Sequence, residues 1–401
     1  MRILTFTNLY PNGQMPNCGI FIKNRMLAFA RKYDAQLDVV APIPFFPKLP
    51  IETKWQKFSR IEFHEEQDGV HVYHPRYFVF PKLGMALHAN FIFYSCYRLI
   101  KKLHLENKYD LIDAHWVYPD GSAAVKIGQK LGLPVVLSAR GSDINEYQEI
   151  KGIRKLIFET LDHCQTIIAV SEALKKVIMQ GDIPAAKIHA IGNGVDLMNF
   201  RLTPRLEARK MNNIRPDDKV IVSVGRLVPL KGHHILIEAV KILVNRGFAN
   251  IKLLIIGSGE YETELQQLVA KHSLGKHVML VGEIPYKQLA CWFNAAHLMC
   301  LASKSEGWPN VVLESMACGT PVVATNVAGI PEIICSENYG FLVDKREATS
   351  FANAIEKALA KDWNREEIAG YARQFTWETV AEKVHKVFRE VVHQNAYSLS
   401  P

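Results

Sequence analysis

Four charged residues in the second half of the chain have the types and spacing to hold an anion beside a set of hydroxyls. Arg226 and Lys231 lie in Gly225-Arg226-Leu227-Val228-Pro229-Leu230-Lys231-Gly232. Arginine offers a planar fork of donors and lysine a compact point charge. Between a strand and the helix after it, the two make an anion site suited to a diphosphate, because a helix N-terminus adds its own partial positive charge. Taken alone, they are equally well two solvated cations in a loop. Glu306 and Glu314 lie in Ser305-Glu306-Gly307-Trp308-Pro309-Asn310-Val311-Val312-Leu313-Glu314. Carboxylates accept hydrogen bonds from paired hydroxyls, which a sugar or a ribose offers. A glutamate on a helix is usually a solvated face, but Glu314 stands in an apolar run, where an unpartnered carboxylate is costly. Pro309 suits the first turn of that helix and Cys318-Gly319 its end. The free amides near Asn310 and Val311 can then face a phosphate or sugar oxygen. Lys231 lacks the spacing of a P-loop, so ATP hydrolysis is not indicated.

The first half offers fewer such groups. His115 ends Asp110-Leu111-Ile112-Asp113-Ala114-His115, and a lone histidine is more often structural than functional. Arg140-Gly141-Ser142-Asp143 ends the next strand, where Ser142 or Asp143 can simply cap a helix. Gly13 and Gly19 fall in the loop after the first strand, where glycine lets backbone amides approach a phosphate, or merely makes a turn. Gly257-Ser258-Gly259 lacks the remaining glycine of a dinucleotide fingerprint, which speaks against a nicotinamide dehydrogenase.

The elements that position these groups are short β-rich runs alternating with helix-period stretches. Strands are expected at Arg2–Thr7, Leu37–Ala41, Val70–His74, Leu111–His115, Val135–Ala139 and Ile167–Val170, then at Val220–Val224, Lys252–Ile256, Val278–Val281, Leu298–Leu301 and Val322–Ala324. Helices are expected at Ile20–Lys32, His88–His104, Gly121–Leu131, Gly152–His163, His234–Asn245, Glu262–His272 and Trp377–His393. Apolar strands without alternation imply parallel sheets covered on both faces. Two such blocks predict two Rossmann-like α/β domains, divided near Val195–Pro216, with the ligand in the cleft between facing domains.

The bulk numbers exclude several classes. The net charge of +8 is mild and dispersed, unlike the concentrated basic stripe of a nucleic-acid binder. It suits an anionic ligand or membrane surface, and is compatible with solubility alone. The seven cysteines are scattered without a Cys-x-x-Cys pair, which argues against disulfides or zinc and fits a reducing cytosol. No stretch reaches the roughly twenty apolar residues of a spanning helix. The segment from Phe78 to Lys102 mixes Phe80, Phe91, Phe93, Tyr94 and Tyr97 with Lys82, Arg98, Lys101 and Lys102. It reads as a core-facing helix with a basic exposed end, or as a peripheral membrane contact.

Jointly these motifs resemble the retaining glycosyltransferases of family 4, which adopt the GT-B architecture. The resemblance runs over nearly the whole chain and is strongest from Ser303 to Gly340, SKSEGWPNVVLESMACGTPVVATNVAGIPEIICSENYG. The family's Glu-x7-Glu pair falls on Glu306 and Glu314, its Arg-x4-Lys-Gly element on Arg226, Lys231 and Gly232, and its Asn-Gly-Val-Asp on Asn193 to Asp196. Its N-terminal glycine loop falls on Gly19, followed by Phe21, and its strand-end histidine on His115. Arg140 stands where many members carry a histidine, which leaves its role and that of Asp143 as a substrate contact open. AHWVYPDG and ARGSDIN are similar to members that build bacterial surface polysaccharides, including teichuronic-acid-type enzymes.

The resemblance implies an acceptor-binding domain over residues 1–195, a donor-binding domain over 196–376, and a last helix in 377–401 that packs back on the first. It implies that Arg226 and Lys231, with Gly19, hold the diphosphate of a nucleoside-diphosphate sugar. Glu314 would take the ribose hydroxyls, and Glu306 with the amides of Gly307 to Asn310 would take the sugar. His115 would face the donor sugar near the reacting centre. The acceptor would be a saccharide or a lipid-linked saccharide, read by the loops at Pro42–Arg60 and Val79–His88, in a cytoplasmic or peripheral membrane protein. With no Asp-x-Asp motif, no cofactor and no divalent metal are expected. Two rivals are a GT-B-fold epimerase, which would consume donor without acceptor, and a silent binding protein, which would bind nucleotide without turnover.

Overall fold

The computed structural model describes residues 1–45, 55–79, 84–150 and 152–398. The chain divides into two units, Met1–Asn193 with Trp377–Pro401, and Gly194–Thr376.

The large sheet of the first unit has eight strands: β1 (Arg2–Phe6), β2 (Gln36–Val40), β3 (His64–Gln67), β4 (Val70–Tyr73), β5 (Leu111–His115), β6 (Val135–Ala139), β7 (Thr166–Ala169) and β8 (Ile188–Ala190). They form one sheet in the order β8-β7-β6-β5-β1-β2-β4-β3. Every pairing is parallel except that of β3 with β4. The exception is a hairpin whose two-residue loop, Asp68-Gly69, has positive φ at both residues, as the twist of a tight hairpin requires.

Two helices cover one face of this sheet. α1 (Ile20–Tyr33) turns Ile22, Met26 and Phe29 inward. The last helix of the chain, Trp377–Ser398, turns Val380, Val384, Val387, Phe388 and Val391 into the same core, beside Ile3, Val39, Leu111 and Val136. Phe29 and Phe388 meet at 5.2 Å between ring centroids. α2 (His88–Asn107) buries Ala89, Ile92, Phe93, Cys96, Ile100 and Leu103, a helical stripe, and leaves Tyr94, Arg98, Lys101 and Lys102 exposed. That is the core-facing reading of this segment; Phe80 and Lys82 lie outside the described residues, as do residues 46–54 and 80–83 of the two expected acceptor loops.

The second unit carries β9 (Lys219–Val224), β10 (Ile251–Ile256), β11 (Val278–Gly282), β12 (Leu298–Leu301), β13 (Val322–Thr325) and β14 (Gly340–Val343). All pair in parallel, in the order β11-β10-β9-β12-β13-β14. Both faces are buried. Val220, Val222 and Val224 enter one core while Ile221 enters the other, and Leu254 and Leu253 split the same way. A strand buried on both sides has no reason to alternate, which is why these runs read as continuous apolar segments. Among the helices are α3 (His233–Asn245) and α4 (Asn310–Ala317). Pro309 stands just before α4 in an extended conformation rather than in its first turn. Among the described residues no helix is long and apolar enough to cross a membrane.

Candidate active site

In an open parallel sheet the ligand edge is the carboxyl end of the strands, at the point where the strand order reverses. In the second sheet β9 sits between β10 and β12, so the reversal lies between β9 and β12. The loop after β9 carries Arg226 and Lys231, and the loop after β12 carries Glu306, Gly307 and Trp308.

The two loops are joined at several points. Lys231 Nζ meets Glu306 Oε1 at 2.6 Å, and Ser303 Oγ donates to the same oxygen at 2.6 Å. Lys304 N donates to Leu230 O at 2.8 Å. Arg346, just after β14, donates to Ala302 O at 2.7 Å and to Pro229 O at 2.9 Å. Gly232 takes φ +72°, and a Cβ there would lie 2.1 Å from Ala302 O, so only glycine lets the loops close together. Arg226 is exposed, and its guanidinium takes no hydrogen bond or ion pair among the described residues.

Glu314 is placed differently. It lies on α4, is 5 % exposed, and accepts a hydrogen bond from the Tyr286 hydroxyl at 3.1 Å. Burial pushes its carboxyl up to about 7, with a further push from Asp196, against the pull of the Tyr286 hydroxyl. Asn310 and Val311 form the first turn of α4 and are half-buried. Trp308 packs 6.2 Å from the Phe375 ring, and its buried Nε1 takes no partner among the described residues.

In the first sheet the order reverses between β1 and β5, and the expected residues again follow those strands or their neighbours. His115, at the end of β5, is fully buried between Asp113 and Arg140. Burial lowers its pKa to about 3, Asp113 opposing and the cations of Arg140 and Arg25 adding to the fall. Burial likewise opposes ionisation of Asp113, but Arg25 and His115 outweigh it and hold that carboxyl below its usual range. The Arg140 guanidinium donates to Asn193 Oδ1 at 3.0 Å and lies 5.2 Å over the Phe21 ring.

Asp143 does not cap a helix from the N-cap position, nor does Ser142; that place is taken by Gly141. The Asp143 carboxylate instead accepts from the amides of Val117 at 2.8 Å, Arg140 at 3.0 Å and Gly141 at 2.8 Å, which pins the loops after β5 and β6. Gly19 stands at the N-cap of α1 with φ +64°, and a Cβ there would lie 2.1 Å from Leu9 O. Its identity is thus demanded by the turn itself.

Several residues of these clusters carry signals that sequence reasoning passed over. Arg25 lies on the apolar stripe of α1 between Ile22 and Phe29, and Asp113 lies inside an apolar strand. Both break a pattern as Glu314 does. Asp120, whose carboxylate accepts from Asn8 N at 2.6 Å, ties the loops after β1 and β5, and burial pushes its pKa up to about 8. Tyr286, Ser303 and Arg346 have no comparable mark. A cavity of about 640 Å³ bordered by Arg2, Gln36, Val70 and Tyr109 sits at the amino ends of the first sheet, the edge away from these residues. Among the described residues no group of three or more His, Cys, Asp or Glu is placed to hold a metal ion.

Two doubly wound α/β units in one chain, each with its polar cluster at the strand-order reversal, define the GT-B class. Residues 33–198 match Glycosyltransferase Family 4, and residues 204–375 match Glycosyl transferases group 1. The chain belongs to this glycosyltransferase family and is a glycosyltransferase. It is 28 % identical over 361 residues, 89 % of each chain, to a Bacillus subtilis (strain 168) protein provisionally named as the teichuronic acid biosynthesis glycosyltransferase TuaC. Among solved structures it is similar to the sucrose-phosphate synthase of Thermosynechococcus elongatus, with a TM-score of 0.79 at 20 % identity over 98 % of this chain and 99 % of that one. It is also similar to Anabaena Alr3699/HepE in complex with UDP-glucose, with a TM-score of 0.72 at 20 % identity over 97 % and 100 % of the two chains.

Proposed function

We propose that the protein transfers a sugar from a nucleoside-diphosphate sugar to an acceptor hydroxyl, with retention at the anomeric carbon and without a divalent metal. The observation that carries this reading is the pairing of Lys231 with Glu306 at 2.6 Å at the carboxyl edge of the second sheet, with the exposed Arg226 on the same loop as Lys231. Breaking the bond between the anomeric carbon and the diphosphate leaves negative charge on the departing oxygen. Lys231, held by Glu306, is in place to stabilise that charge with little reorganisation, and the exposed Arg226 adds a second cation. The acceptor oxygen bonds the anomeric carbon on the face the diphosphate leaves, and the acceptor proton passes to the leaving phosphate oxygen. Glu314 receives the ribose hydroxyls and Glu306, with the Gly307 to Val311 backbone, the sugar. HepE, whose solved structure contains UDP-glucose, supports the donor class by its likeness of fold. The relative named for teichuronic acid biosynthesis supports an acceptor that is a saccharide or lipid-linked saccharide of the bacterial cell surface. Such an acceptor fits a cytoplasmic protein working at the inner face of the membrane.

The test is an assay of purified protein with UDP-, GDP- and ADP-sugars and a saccharide acceptor, in excess chelator, with the product linkage read by NMR. Full activity and an α-linked product from an α-linked donor are expected. An absolute magnesium requirement or an inverted product sinks the mechanism. Donor turned into its epimer without acceptor, or bound without turnover, replaces the activity with that of an epimerase or a binding protein.

A further inference from the structure

Four side chains of the first unit form one buried line. Arg25, from α1, donates to Asp113 Oδ1 at 2.8 Å and to Ser138 Oγ at 3.0 Å. Asp113 Oδ2 lies 2.8 Å from His115 Nε2. His115 Nδ1 meets the Arg140 guanidinium, whose other terminal nitrogen donates to Asn193 Oδ1 at 3.0 Å. Arg25 is 1 % exposed, Asp113 and His115 0 %, and Arg140 8 %, so bulk water does not take part.

The protons along this line can be arranged in one way. A guanidinium only donates, and an ionised carboxylate only accepts. Nδ1 of His115 faces a donor and must therefore accept. The ring's one proton then sits on Nε2, where it donates to Asp113. The opposite tautomer sets N–H against N–H on one side and lone pair against carboxylate on the other. A doubly protonated ring repeats the first of those conflicts.

We infer that His115 is a positioning residue, held by Arg25 and Asp113 as the neutral Nε2–H tautomer, and that it fixes the Arg140 guanidinium at the carboxyl edge of the first sheet. With its Nε2 proton hydrogen-bonded to Asp113 and its Nδ1 lone pair facing the Arg140 guanidinium, the ring has no lone pair left for a substrate proton. This alters the role expected of His115 from a group at the reacting centre to one acting through Arg140. Its part in catalysis rests on the transfer reaction proposed above, whereas its protonation state does not. The charged groups facing the ring are Asp113 on its own strand, Arg140 from the loop after β6, and Arg25 from α1. Two cations and one anion around a dry imidazole leave no driving force for a second proton.

Protein labelled with ¹⁵N-histidine tests the protonation directly, with the His115 signals identified by their loss in His115→Gln. The expected spectrum has Nδ1 bare and Nε2 protonated, unchanged from about pH 5 to about pH 8, a range in which an ordinary histidine titrates. An Nδ1–H ring, or one that titrates in that range, overturns the proposal. Asp113→Asn tests the positioning. Its amide can present N–H to the ring and drive the ring proton to Nδ1, against Arg140, as happens when an orienting carboxylate is lost from a histidine. The folded variant should show that tautomer and lose about tenfold or more in kcat, with little change in the donor KM. Wild-type turnover by folded Asp113→Asn overturns the positioning role. Should that variant fail to fold, the spectrum of the native chain still decides. A correct spectrum in a protein that transfers no sugar would refute the proposed reaction and leave the tautomer standing.

Discussion

Replacing Glu314 by glutamine separates what the buried carboxyl costs the fold from what it contributes to a ligand. Burial lifts its pKa from 4.5 to about 7. At about 1.4 kcal/mol per pKa unit, ionising it in the folded chain costs on the order of 3 kcal/mol. The folded state holds this proton more tightly than the unfolded state. Stability is therefore highest below the unfolded pKa of 4.5 and is lost as pH rises toward 7. Glutamine keeps a neutral group facing the Tyr286 hydroxyl. Glu314→Gln should thus match the native chain near pH 4.5 and exceed it in stability by up to about 3 kcal/mol near pH 8, read from urea unfolding across that range.

Ligand binding should run the other way. Ribose hydroxyls donate, so they favour the ionised carboxylate. With a pKa of about 7, roughly one tenth of the chains are ionised at pH 6 and nine tenths at pH 8, so a nucleoside diphosphate should bind about tenfold more weakly at the lower pH. Calorimetric titration with UDP, GDP and ADP measures this in both proteins. The phosphate's own titration is common to both and cancels in the ratio. A native chain and a Glu314→Gln variant with parallel pH dependences would refute both the pKa assignment and the ribose contact.

Lys231→Ala should lose most transferase activity while keeping its circular dichroism spectrum, because Glu306 keeps the Ser303 hydroxyl as a partner when the lysine is removed; normal turnover would remove the diphosphate assignment. Gly232→Ala should lower the melting temperature by several degrees, since a left-handed alanine costs about 1 kcal/mol before the 2.1 Å approach to Ala302 O is counted; an unchanged midpoint would contradict the loop packing. Arg25→Met should cost about 3–5 kcal/mol near neutral pH by stranding the Asp113 charge, measured by denaturant unfolding. That loss should shrink as acid protonates Asp113, whose carboxyl the native cations hold below its usual range. A penalty under about 1 kcal/mol would mean that the buried line carries no charge.

The strands legible from sequence are mostly those buried on both faces, because such a strand must be apolar throughout. In the two large sheets, the strands it did not mark, β3, β8 and β14, all lie at edges. β3 is His64-Glu65-Glu66-Gln67, polar at every position, and is announced only by the Asp68-Gly69 turn that follows it. β8 has three residues, and β14 opens on a glycine. An edge strand is held by backbone pairing on one side and needs no apolar run to declare it.

For the site, sequence determined the residue types and their loops: Arg226 and Lys231 after one strand, Glu306 after another, and Glu314 conspicuous as a carboxylate in an apolar run. Those follow from local rules, because strand ends and broken patterns are visible within about ten residues. What each group does electrostatically was decided only by the tertiary structure. Lys231 reaches Glu306 across seventy-five residues, Tyr286 reaches Glu314 across twenty-eight, and Arg25 reaches Asp113 across eighty-eight. Whether a histidine is charged, or a glutamate protonated, depends on which distant side chains exclude water from it and which donors face it. No periodicity in the chain encodes that.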